Sequence, residues 1–207
     1  MSLRDFQQAL VDLTLAPSLT RRLNRGDLTV LDPYQLEPHE QERLLAIVGH
    51  PGMSVNCTVA RGNRFDAIGE IFPMTCVLLE PVLRGLLDEL WDEHRPSNYQ
   101  FAGEEDAFAD FVRAKLSSGS LDIQYLPEVF AYESVCWNLA QRFRNQTDPD
   151  EEFTETIEFQ HSPDQLLAPL SQLTAPPGDL PKGLYRAVVR LRHQRFDVEV
   201  LPESEPA

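Results

Sequence analysis

Apolar positions in the first two thirds of the chain recur with a helical period, and those in the last third alternate. Leu3, Phe6, Leu10 and Leu13 form one stripe, closed by Ala16-Pro17. Arg21, Arg22 and Arg25 follow, read as a solvated basic cluster ending at Gly26. Glu37-Pro38-His39-Glu40 opens a short helix carrying Leu44, Leu45 and Val48, with Pro38 in the first helical position, where its missing N–H has no partner to lose. Gly49-His50-Pro51-Gly52 stops that helix. Between Cys57 and Trp91, Val59, Phe65, Ile68 and Phe72 make one stripe and Val82, Leu83, Leu86, Leu87 and Leu90 a second. Phe72-Pro73 predicts a break between two helices, because proline donates no hydrogen bond and crowds the preceding turn. His94 to Asn98 reads as a loop. Glu104, Glu105 and Asp106 then mark the favourable first turn of a helix that buries Phe108, Phe111 and Val112. The last long helix starts at Leu126-Pro127 and carries Val129, Cys136, Leu139 and Phe143, with Glu133 and Trp137 on or beside its apolar face.

From Asn145 to Glu152 the chain is polar and acidic enough to be a linker. Beyond it Phe153, Ile157 and Phe159 sit at odd positions among polar residues, the pattern of a half-buried strand. A short helix, Pro163 to Leu173, and the turn Ala175-Pro176-Pro177-Gly178 lead to two more strands. Gly183 to Arg192 places Tyr185, Ala187, Val189 and Leu191 on one face and Arg186, Val188, Arg190 and Arg192 on the other. Arg195 to Leu201 opposes Phe196, Val198 and Val200 to Asp197 and Glu199. A hairpin around His193-Gln194 puts Leu191 against Phe196, Val189 against Val198, Ala187 against Val200 and Arg190 against Asp197. His193-Gln194 is not the Asn-Gly type, which predicts a connection looser than two residues. The expectation is an α+β chain: an all-helical domain over 1–147, then a small antiparallel sheet domain with one helix and a C-terminal tail over 148–207.

Composition narrows the functional classes. The 207 residues are 42% hydrophobic, enough for a packed core. Thirty-three acidic residues against 18 basic ones give a formal charge of -15, which repels a polyanion and argues against nucleic acid. Cys57, Cys76 and Cys136 lie far apart without CxxC or Cys/His spacing, so they read as reduced core thiols, not as zinc ligands or a disulfide framework. With no signal peptide and no apolar run of membrane length, a cytoplasmic protein without membrane association is expected. Within this acidic chain Lys182, Arg186, Arg190, Arg192 and Arg195 occupy a stretch that contains no acid. That segregation suits an acidic ligand or peptide, with a solvated face balanced by Asp197 and Glu199 as the alternative. Tyr185, Arg186, Val188, Arg190 and Arg192 are therefore the candidate peptide-binding residues. Glu70, Glu133 and His161 are possible acids or bases, but no motif brings them together, so no catalytic or metal residue is assigned.

Arg61-Gly62-Asn63-Arg64 through Phe72-Pro73, followed by Leu78-Leu79-Glu80 and a helix to Trp91, resembles the helical domain of the HvfC/BufC-like proteins. Tyr125-Leu126-Pro127-Glu128, with Tyr132, Glu133 and Trp137 on the helix it opens, is similar to a second signature of that domain. Ile157 to Pro163 and the hairpin resemble the C-terminal part of its longer members. The region before Cys57 is most similar to the TglI-like partner proteins of 3-thiaglutamate biosynthesis and more distantly to MbnC. The resemblance implies a subunit that is not an enzyme on its own. Such proteins form a heterodimer with a TIM-barrel enzyme holding two or three iron ions, and the pair oxidatively remodels a cysteine of a ribosomally made precursor or scaffold peptide. In the TglI-like case the β-carbon of a C-terminal cysteine is excised. The iron belongs to the partner, and no cofactor is expected in this chain. Arg61, Asn63 and Arg64 are the candidate partner interface, and the sheet with its exposed edge the candidate peptide platform. A helical DNA-binding transcriptional regulator is the alternative reading.

Overall fold

The computed structural model describes residues 3–94, 103–146 and 151–201; Arg95 to Asn98 of the expected loop, the 147/148 boundary and the C-terminal tail lie outside them. The chain is α+β, with eight α-helices and a three-stranded antiparallel sheet among the described residues: α1 (Leu3–Leu15), α2 (Pro17–Asn24), α3 (Pro38–Val48), α4 (Pro51–Ile71), α5 (Pro73–Glu93), α6 (Glu104–Ser117), α7 (Leu126–Arg144), β1 (Phe153–His161), α8 (Pro163–Ser171), β2 (Lys182–Arg192) and β3 (Arg195–Leu201). None of the described helices is long and apolar enough to cross a membrane.

Two compact units emerge, Met1–Ile68 with Val82–Phe111 and Gly69–Pro81 with Val112–Ala207. The division expected at 147/148 sorts the chain by type of element, whereas packing sorts it by shared core. Tyr125, just before α7, and Val129 and Leu139 within it pack with Phe153, Ile157 and Phe159 of β1, Leu166 and Leu170 of α8, and Ala187, Val189 and Leu191 of β2. The sheet is one-sided and buries its apolar face only by taking α7 as a lid, so the helix and sheet share a unit.

In the first unit, Ala9 and Leu13 of α1 meet Leu23, Leu44, Val48, Met53 and Cys57. Two departures from the expected elements occur here. The arginine cluster forms α2, begun by Pro17, with Arg21 paired to Asp88 at 2.7 Å and Arg22 to Asp27 at 2.8 Å. Gly49 to Gly52 stops α3 but also starts α4 at Pro51, since His50 Nδ1 accepts the Gly52 N–H at 3.0 Å and caps the new helix. The break at Phe72 falls as predicted, with α4 ending at Ile71 and α5 beginning at Pro73.

In the second unit β2 is central, flanked by β1 and β3. The hairpin has the predicted register, with Leu191, Val189, Ala187 and Arg190 opposite Phe196, Val198, Val200 and Asp197. Its connection is tighter than expected. Arg192 pairs with Arg195, leaving a two-residue turn in which His193 (φ 48°) and Gln194 (φ 62°) both take positive φ. Primed turns of this kind match the right-handed twist of the strands, and here that demand outweighs the poor fit of two non-glycine residues.

Candidate functional site

The two faces of β2 have different fates. Tyr185 lies opposite Phe159, and its half-buried ring packs against the core, so it belongs to the inner face and not to an exposed ligand surface. Val188 is on the outer face yet buried. Arg186 meets Glu158 at 3.2 Å. Arg190 gathers three carboxylates, Glu199 at 2.7 Å, Asp197 at 3.8 Å and Glu152 at 3.9 Å. The Glu199 hydrogen bond holds its pKa above the ordinary arginine value. The middle of the basic row is thus balanced by the sheet itself. Arg192 is exposed at the hairpin end of the row.

β3, like β1, is an edge strand; β2 is the element it chiefly contacts, while α7 packs on β1 and β2. Its inward-facing side chains consequently outrun their lid: Phe196 is 45% and Val198 36% exposed. Beside Phe196 opens a cleft of about 490 Å³, lined by Ala140, Phe143 and Arg144 of α7 and by Leu191, Gln194 and Phe196. An edge strand offers unpaired backbone donors and acceptors, and this one adds on one side a cleft of mixed lining, with Phe143, Leu191 and Phe196 beside Arg144 and Gln194.

The three residues expected to meet a partner are dispersed. Arg64 is fully buried and cannot form a surface contact. Its Nε and Nη2 grip Glu104 at 2.7 and 3.1 Å, Nη1 donates to the Leu15 carbonyl at 3.1 Å, and Nη2 to that of His94 at 2.9 Å. The guanidinium also lies 5.0 Å from the Trp91 ring. Burial lowers its pKa against the pull of Glu104, and the fork geometry satisfies a buried charge that would otherwise be costly. Arg61 is half-buried. Asn63 is exposed and lines a groove of about 400 Å³ with Leu10, Val11, Thr14, Val59 and Ala60.

Of the possible acids and bases, Glu70 is exposed on α4. Glu133, projecting from α7, accepts the N–H groups of Met74 and Thr75, each at 2.8 Å, and so caps α5 where Phe72 has no side chain to do it. Burial pushes its carboxyl up to about 7, against the opposing Thr75 and Met74 donors. The neighbouring thiols are raised by burial, Cys76 to about 12 and Cys136 to about 11, which keeps them protonated and unreactive. His161 Nδ1 lies 2.7 Å from Glu128, whose carboxylate also accepts the N–H groups of Gln160 and His161, at the register shift between Phe159 and His161. Glu128 thus satisfies backbone donors that the irregularity releases from the ladder. Tyr125 takes positive φ (67°) at the start of α7 and is fixed there by its hydroxyl, which donates to Pro177 O at 2.9 Å and accepts from Leu180 N at 3.1 Å.

Among the described residues, no group of three His, Cys, Asp or Glu side chains is arranged to hold a metal ion. No protein-family model, characterised protein or solved structure matches the chain.

Proposed function

We propose that this chain is the peptide-recruiting, non-catalytic subunit of a heterodimer whose other member is a TIM-barrel multinuclear iron enzyme. The observation that supports it is the free edge of β3, whose apolar inner face lies open over the cleft beside α7. A precursor or scaffold peptide adds to that edge as a further strand, held by main-chain hydrogen bonds and by alternate side chains set into the cleft. The recruiting surface is the β3 edge, and the centre of the basic face serves the sheet's own charge balance. The partner, its iron and the oxidative remodelling of a cysteine, by β-carbon excision in the TglI-like case, are drawn from the resemblance in the helical signatures. Within those signatures Asn63 is the exposed member of the proposed interface.

The test is co-expression with an iron TIM-barrel protein and the candidate precursor encoded beside the gene. The two proteins co-purify, and the precursor binds this chain. Phe196→Lys places a charge over the cleft and weakens precursor binding about tenfold, roughly 1.4 kcal/mol, without altering co-purification. Arg186→Glu, at an arginine already committed to Glu158, leaves it within about twofold. Equal loss in both variants removes the edge from the account, and failure to co-purify removes the heterodimer.

A further inference from the structure

On the outer face of the sheet, the arginines of β2 are charge-matched up to the last rung. Arg186 and Arg190 meet carboxylates from the neighbouring strands, whereas Arg192 and Arg195, both exposed, stand directly opposite one another with no ion pair among the described residues. Like charges in directly opposed positions weaken a hairpin, and this pair closes a turn already held at positive φ by two non-glycine residues. A strand added to β3 continues its alternation. Inward side chains fall beside Phe196, which lines the cleft, and beside Val198, and outward ones beside Arg195, Asp197 and Glu199 in succession. Asp197 and Glu199 are already turned toward Arg190, so the uncompensated charge along the free edge belongs to Arg195 with Arg192 behind it.

We infer that Arg195, backed by Arg192, reads an acidic side chain on the recruited peptide. In an antiparallel strand, the slightly more stable arrangement, the acid directly follows the residue opposite Phe196. The recognised segment is then apolar, any residue, apolar, Asp or Glu. An acidic peptide is the occupant because the charges presented along the edge and in the cleft, Arg195 with Arg192 and Arg144 in the lining, are positive within a chain of net charge -15. The inference rests on the edge-strand reading above.

A phage-displayed random nonapeptide library panned against the wild-type chain and against Arg195→Glu in low-salt buffer tests both. The substitution converts the like-charge rung into an opposite-charge one, so the hairpin is expected to fold at least as well. Wild type selects apolar-x-apolar-acid; the variant selects Lys or Arg at the last position and binds a synthetic wild-type consensus roughly fivefold more weakly. The same uncharged consensus from both proteins overturns the charge readout and leaves the edge reading standing. No consensus from either overturns both.

Discussion

Two buried charged residues, Arg64 and Glu133, do structural work that their positions alone did not announce. Arg64 spends its donors on Glu104 and on two main-chain carbonyls, so truncating it leaves a carboxylate and two carbonyls unpaired inside the first unit. Arg64→Ala is expected to lower unfolding free energy by about 3–5 kcal/mol in urea titrations. Arg64→Lys restores little of that, because an ammonium cannot reproduce the fork. Glu133 adds a pH dependence whose sign follows from burial. Its folded pKa of about 7 exceeds its ordinary 4.5, so the folded state holds the proton more tightly than the unfolded one. Stability from this group is full below about pH 4.5 and falls as pH rises toward 7, by about 3 kcal/mol in all. Urea midpoints at pH 5 and pH 8 are expected to differ less in Glu133→Gln than in the wild type; equal differences would show that Glu133 does not titrate in that window.

Elements were legible where a period decided them and less so where a neighbour did. The alternation of Tyr185 to Leu191 and Phe196 to Val200 fixed two strands and their register, because a slip of one residue would have turned the apolar set outward. Phe72-Pro73 located the helix break for an equally local reason. The tightness of the hairpin was not legible, since His193-Gln194 is not the Asn-Gly type that favours two positive-φ residues and the twist of the whole ladder imposes them. Nor was the exposure of Phe196 and Val198, which depends on α7 lying chiefly over β1 and β2. The hairpin carries a prediction of its own. His193→Asn with Gln194→Gly supplies the residues a primed two-residue turn prefers, and is expected to stabilise the protein by about 1 kcal/mol, raising Tm by about 2–4 °C. A fall in Tm would mean that these two side chains make contacts worth more than the backbone relief.

The charge of the whole molecule bears on the rival reading as a DNA-binding regulator. A formal charge of -15 does not by itself forbid duplex binding, which requires only that enough cations be gathered on one surface. Six of the 18 basic residues are spent on acids of the chain itself. Arg21 and Arg22 face Asp88 and Asp27, Arg64 is buried on Glu104, Arg142 meets Glu155 at 2.9 Å, and Arg186 and Arg190 meet the acids of their own sheet. The Arg192–Arg195 rung suffices for one or two anionic contacts, against the roughly six to ten phosphates that a duplex-binding surface neutralises. An acidic side chain on a peptide matches that rung in number of charges, and a DNA backbone does not. The purified chain is therefore expected to leave duplex DNA unshifted in gel assays at about 50 mM salt, and to retain acid-ended peptides at that salt while losing them as ionic strength rises. A duplex shift at about 50 mM that disappears near 200 mM would instead mean that the basic rung acts together with cations outside the sheet, and would put the alternative regulator reading ahead.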